Sequence, residues 1–253
     1  MSIATHWASS LLDLRDSLTP EVAHVWRILL DDSPERSSRF RLYLSDDERD
    51  RADRCRTPHP QYQFVITRSI LRILLSRYLG ILPTQIHFAT QPQGKLVLVK
   101  PSSFAIQFNV SHTRGMALIA LTLQHAVGVD VERIDRAIQD RDIAERFFST
   151  RESEHLVSLP LSERQYQFFS YWTCKEAYLK MQGKGIAEGL AHCEMMFDSE
   201  HSEVRLFTLN EQKHREEYSL YRMKVGPEHV GAIAIATPLT QVSYWNWEDK
   251  YLS

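Results

Sequence analysis

Two acidic residues, Asp130 and Glu132, stand in Gly128-Val129-Asp130-Val131-Glu132, a run that otherwise reads as a buried strand. Positions i and i+2 of a strand point to the same face, roughly 7 Å apart. Two carboxylates side by side there repel each other unless a cation or water separates them. A strand ending at the surface tolerates the same pair, so alone it reads equally as structure or as chemistry. A second cluster, Trp172-Thr173-Cys174-Lys175-Glu176-Ala177-Tyr178-Leu179-Lys180, places Trp172, Glu176 and Lys180 four apart on one helical ridge. An exposed Glu–Lys pair beside a core Trp172 is the plain alternative. Against it, Phe168, Phe169, Tyr171, Trp172, Tyr178 and Leu179 make the helix apolar around much of its circumference, which puts its charges along a crevice. Lys175 lies about 100° around the helix from Glu176 and is expected to matter less. The helix runs into Gln182-Gly183-Lys184-Gly185, a basic turn open to an anionic ligand.

Three carboxylates without paired Cys or His ligands describe a site for a hard cation. Mg²⁺ prefers a few carboxylates, water and phosphate oxygens. The first half of the chain supplies complementary charge in Arg51, Arg54, Arg68 and Lys95, with Ser111-His112 at the end of a strand. The chain holds 22 Arg and 8 Lys, and from Arg36 to Arg77 there are ten Arg, no Lys and five acids. Arg suits planar, bidentate contact with phosphate or carboxylate. A solvated helix face and a core histidine are the plain alternatives. The residues alone lead to Mg²⁺-dependent chemistry on a phosphorylated substrate.

The elements that must position these groups follow from periodicity. Residues 1–20 read as a loose lead-in, and Glu21–Leu30 as a strand. Ser45 and Glu48 form a capping-box pattern for a short helix through Asp46–Cys55, and Pro58 and Pro60 then break the chain. Gln61–Leu79 is the clearest helix of the first half, with Gly80 as its C′ residue. Strands are expected at Gln85–Ala89, Leu96–Val99, Ala105–Val110, Met116–Leu123 and Val127–Val131, with a hairpin loop at Pro92-Gln93-Gly94. Helices are expected at Ile138–Phe148, Arg151–Ser158 and Glu163–Met181, the last closed by Gly183. Strands are expected at Val204–Leu209, Tyr218–Val225 and Val230–Thr237. The pattern is α+β rather than strict βαβ alternation.

Composition bounds the rest. With 253 residues and 43% hydrophobic content the chain has ample core, which excludes wholesale disorder. No apolar run approaches the roughly 18 residues of a membrane helix, and the start of the chain has no basic and apolar leader pattern. Cys55, Cys174 and Cys193 are unpaired in spacing, which fits a reducing, cytoplasmic setting.

Gly128–Glu132 and Phe168–Lys180 resemble the two signatures of the 4′-phosphopantetheinyl transferase superfamily, and the separation of about forty residues between Glu132 and Glu176 fits. Asn109-Val110-Ser111-His112 resembles a third motif of that family, and Arg146-Phe147-Phe148-Ser149 with Glu152 a fourth. Length and the helical first half place it with the surfactin-synthetase-activating (Sfp-like) type. The resemblance implies a monomer of two similar α+β halves in a pseudo-two-fold arrangement, with the active site in the cleft between them. The halves fall at 1–125, with the coenzyme A contacts, and 126–253, with the metal ligands and catalytic helix.

The activity implied is that of a holo-[acyl-carrier-protein] synthase. The 4′-phosphopantetheine arm of coenzyme A moves to a serine of an apo acyl or peptidyl carrier protein, and 3′,5′-ADP leaves. Carried over by motif, Asp130, Glu132 and Glu176 hold Mg²⁺, or Mn²⁺, against the pyrophosphate. Glu176 is the base for the carrier serine, directly or through water, and Lys180 offsets phosphate charge. Ser111 and His112 match coenzyme A contacts, Arg51 and Arg54 meet the 3′-phosphate, and Arg68 and Lys95 align as further phosphate contacts. Glu152 matches a position near the catalytic centre. Two rivals stand beside this reading: an Arg-rich nucleic-acid-binding protein and a non-catalytic coenzyme A-binding module. The net charge of −2 and the lack of aromatics interleaved with the basic stretch argue against the first. Intact acids at 130, 132 and 176 argue against the second.

Overall fold

A computed structural model describes residues 7–8, 14–92, 94–99, 105–134, 147–184, 193–197, 204–208, 218–238 and 241–252. Strand β1 (Trp7–Ala8) and the single turn α1 (Leu14–Ser17) lie within the stretch read as a lead-in. Strand β2 (Val22–Leu29) follows, then helices α2 (Pro34–Arg41), α3 (Asp46–Asp53) and α4 (Pro58–Leu79). Strands β3 (Phe88–Thr90), β4 (Leu96–Leu98), β5 (Ile106–Thr113), β6 (Met116–Leu123) and β7 (Val127–Arg133) run on to helices α5 (Thr150–Ser158) and α6 (Leu161–Gln182). Strands β8 (Cys193–Phe197), β9 (Val204–Thr208), β10 (Ser219–Gly226), β11 (His229–Ile235) and β12 (Gln241–Asn246) complete the described elements. Among the described residues, no helix is long and apolar enough to cross a membrane.

The expected break at Pro58 and Pro60 is instead the first turn of α4. Proline is at home there, because the first N–H groups of a helix have no intrahelical acceptor to lose. Thr57 is extended at the N-cap, and Gly80 closes the helix with φ 68°. The capping box of α3 forms as expected, Ser45 N donating to Glu48 Oε2 at 3.1 Å, although the helix ends at Asp53. The helix expected at Ile138–Phe148 lies outside the described residues except for Phe147 and Phe148.

Two sheets lie back to back between two 22-residue helices. In the larger, ordered β1-β12-β2-β6-β5, Trp26, Ile28, Phe108 and Ile119 pack against Ile66, Ile70 and Leu74 of α4. Its opposite face, with Val25, Leu118 and Ala120, meets Val127, Val129, Val131 and Ile233 of the three-stranded sheet β10-β11-β7. That sheet's outer face, with Leu220, Ala232 and Ala234, packs on Cys174, Ala177 and Tyr178 of α6. Strands buried on both faces read as nearly continuous apolar runs, as β6 does. Strand β6 ends at Leu123 and β7 begins at Val127, while β12 returns to pair in parallel with β2 in the first sheet.

Candidate active site

Alternation along β7 decides where its acids point. Val127, Val129 and Val131 enter the core between the sheets, so Gly128, Asp130 and Glu132 face the other way, toward α6. Helix and strand lie so close that a Cβ on Gly128 would run into the Ala177 carbonyl and the Met181 amide. This contact sets Asp130 beside the ridge of Glu176 and Lys180. Asp130 Oδ1 accepts from Lys180 Nζ at 2.6 Å and from Ser111 Oγ at 2.8 Å. Lys180 Nζ also reaches Ser111 Oγ at 3.2 Å.

Two oxygens are left over. Asp130 Oδ2 and Glu176 Oε1 are buried and have no hydrogen-bond partner. Burial, and then the charge of Asp130, raise the Glu176 pKa to about 7; Glu132 adds to the rise and Lys180 opposes it. Unpartnered buried carboxylate oxygens fit a hard cation, which also needs the negative charge that makes the group difficult to ionise alone. Among the described residues no three His, Cys, Asp or Glu side chains form a closed cluster for a metal. Asp130 and Glu176 bring the two unpartnered oxygens, and half-buried Glu132 lies on the same strand face.

Beside this pair opens a cleft of about 320 Å³ between α4, β5 and the end of α6. Arg51, Arg68, Lys95, His112, Lys180 and Lys184 line it, so five basic side chains and a histidine share one cavity. Arg54 is not among them. It lines an adjoining cleft of about 290 Å³ that shares Arg51 and Arg68 with the first. Arg68 is partly neutralised: Glu48 accepts from Arg68 Nη1 at 2.9 Å and from Arg72 Nε at 2.6 Å. The Arg51 guanidinium lies 4.8 Å from the Phe64 ring centre, and Arg68 stacks on Phe64 from 5.4 Å. His112 reaches solvent at one edge, but its dense surroundings, and then Lys180, hold its pKa below the ordinary value.

A family model described as the 4′-phosphopantetheinyl transferase superfamily matches residues 126–234, the stretch that carries β7 and α6. A Nostoc sp. protein named 4′-phosphopantetheinyl transferase HetI is 39% identical over 68% of this chain and 73% of its own length. The chain belongs to the 4′-phosphopantetheinyl transferase superfamily. Also similar are psf-1 of Bacillus pumilus, 33% identical over 64% of this chain and 68% of its own, and Sfp of Bacillus subtilis, 28% identical over 61% and 67%. Both are named as 4′-phosphopantetheinyl transferases.

Lys175, Lys95 and Thr67 have surroundings in this transferase that the sequence reading did not contain. Lys175, expected to matter less than Glu176, is 1% exposed. Its Nζ lies 2.7 Å from Glu152 Oε2 and donates to the carbonyls of Cys193 at 2.7 Å and Phe147 at 3.2 Å. Glu152 in turn accepts from Ser149 N and Met195 N, each at 2.7 Å. The pair staples α5, α6 and β8 together. Lys95, expected to meet phosphate, donates to the carbonyls of Val127 at 3.3 Å and Lys180 at 2.9 Å. Thr67 was not singled out by sequence, yet its buried Oγ1 has no partner and it lines the main cleft. A hydroxyl within the apolar run Val65-Ile66-Thr67 was the available signal.

Proposed function

We propose that this enzyme transfers the 4′-phosphopantetheine arm of coenzyme A to a serine hydroxyl of an apo carrier protein, releasing 3′,5′-ADP, with Mg²⁺ held by Asp130, Glu132 and Glu176. The observation that carries the reading is the pair of orphaned carboxylate oxygens, on Asp130 and Glu176, set beside the cationic cleft. A nucleotide with a pyrophosphate and a 3′-phosphate brings the negative charge that such a cleft lacks. When bound, the metal supplies charge neutralisation at the pyrophosphate.

The chain's own residues do the remainder. Arg51, which lines both clefts, and Arg54, which lines the second, hold the 3′-phosphate. Ser111, His112 and Thr67 orient the substrate, and Arg68 contributes what charge Glu48 leaves it. Lys180 stands at the pyrophosphate, while Glu176 takes the serine proton as oxygen attacks phosphorus. The protein works as a cytoplasmic monomer, and its halves, residues 1–125 and 126–253, divide the nucleotide contacts from the metal ligands.

The test is to incubate the protein with coenzyme A, Mg²⁺ and a panel of apo fatty-acid, polyketide and peptide-synthetase carriers, then weigh the carriers. A gain of one phosphopantetheine is expected on at least one; no gain on any overturns the proposal. Replacing Arg51 and Arg54 together with Ala should weaken use of coenzyme A by about 10²-fold and abolish its preference over 3′-dephospho-coenzyme A. A retained preference would remove both from the 3′-phosphate.

A further inference from the structure

Strand β7 has a free edge that side chains, rather than another strand, complete. Antiparallel pairs hydrogen-bond at alternate residues. Ala236 N donates to Ala126 O and Ile134 N donates to Glu228 O, so the even-numbered residues bond β11. Val127 and Val129 therefore turn their main-chain groups away from β11, to the free edge of the strand. Three of these groups are met by side chains from three elements. Val127 O accepts from Lys95 Nζ at 3.3 Å, Val129 N donates to Asn109 Oδ1 at 3.0 Å, and Val129 O accepts from Lys180 Nζ at 3.3 Å. Lys95 closes the arrangement by donating to Lys180 O at 2.9 Å, at the end of α6.

We propose that Lys95 and Asn109 are positioning residues that set Asp130 against Ser111 and Lys180, and that Lys95 does not bind phosphate. The proposal rests on the transferase reading above. Each group they satisfy belongs to a residue within three positions of Asp130. Lys95 comes from the segment just before β4, in the two-stranded sheet β3-β4, and Asn109 from β5 of the first sheet, so the two tie both sheets to β7. Two of the three N–H groups of Lys95 are engaged by carbonyls. A phosphate in the cleft would find only the third N–H, the other two being held by carbonyls of β7 and of the end of α6, where burial holds the Lys95 pKa down. A small slip of β7 would stretch the 2.6 and 2.8 Å bonds to Asp130 Oδ1.

The test compares Lys95→Met, Lys95→Arg and Asn109→Leu with the parent protein by steady-state transfer, coenzyme A calorimetry and hydrogen exchange along β7. For Lys95→Met and Asn109→Leu, kcat should fall at least about tenfold while Kd for coenzyme A stays within about threefold. The loss should be the same with 3′-dephospho-coenzyme A, and exchange of the β7 amides should quicken at least about threefold. Lys95→Arg, which keeps donors toward both carbonyls, should recover most of kcat. A Kd for coenzyme A raised more than about tenfold with kcat retained would make Lys95 a phosphate contact and overturn the proposal. Exchange unchanged from the parent, or a lowered Tm with full kcat per folded molecule, would also overturn it. Asn109→Leu carries the same measurements if Lys95→Met fails to fold. Should the parent protein modify no carrier, the transferase reading fails, whereas exchange and calorimetry still decide the role of the two residues.

Discussion

Glu176 sits in conditions that make a carboxyl group a useful base: it is 5% exposed, near other negative charge, and has one oxygen without a partner. Glu176→Gln keeps the size and helix propensity but removes the charge and the proton acceptor. Transfer should drop at least about 10²-fold with the circular dichroism spectrum and Tm retained; wild-type turnover would remove Glu176 from the chemistry. Its neighbour Lys175 differs in kind. Lys175→Met leaves the Glu152 carboxylate buried without its cation, a change that costs about 3–5 kcal/mol. Urea unfolding should show that loss, and an unchanged midpoint would mean that the pair is not formed in solution. Spacing on a helical wheel separates Glu176 from Lys175 but cannot rank them, because both faces of α6 are covered. The acids at 130, 132 and 176 were legible because charges in an apolar run demand a reason. Lys95 and Thr67 were not, since their meaning lies in what residues far away in sequence place beside them.

The elements obey simpler rules. Gly128 is the point of closest approach between β7 and α6. Gly128→Ala should push the helix off the strand, cost about 3 kcal/mol through overpacking and reduce transfer by carrying Glu176 away from Asp130. Thermal unfolding beside a transfer assay measures both, and a fully active, equally stable variant would show the contact to be slack. Most elements were legible from periodicity: β2, β6, α4 and α6 all fall where apolar spacing and terminal glycines put them. Strands β8 and β12 were missed. Cys193–Phe197 is a run of five residues, too short to stand out, and Gln241–Asn246 is half-buried rather than cleanly alternating, so neither carries a clear period-two signal. Pro58 and Pro60 misled for a physical reason, as a proline that ends one segment is equally suited to begin the next helix.

At the scale of the molecule, acid should act through a residue far from the active site. His24 is 1% exposed beneath α4. Trp26 Nε1 donates to the Tyr78 hydroxyl oxygen at 3.1 Å, and that hydroxyl lies 2.7 Å from His24 Nδ1, so the ring accepts there and stays neutral. Burial lowers its pKa from 6.5 to about 4. A depressed histidine pKa means that the unfolded chain binds the proton more readily, so stability is complete above pH 6.5 and declines as pH falls toward 4. The loss should approach ~3 kcal/mol at the acid end. His24→Phe should flatten that part of the curve in urea titrations at a series of pH values; an identical slope would assign the acid sensitivity elsewhere.

The return of β12 to the first sheet bears on how the chain is made. Residues 22–29 wait for residues 241–246 before β2 has both neighbours. During synthesis, β2, β6 and β5 can pair and α4 can cover them, yet the open side of β2 stays exposed until residues 241–246 have emerged. Contacts so distant in sequence close slowly, and an unpaired strand edge recruits other strands in the meantime. Between the emergence of β2 and that of β12 the nascent protein is a sticky, incomplete sheet, and yield from a fast-expressing host should improve when elongation is slowed or a chaperone covers that edge.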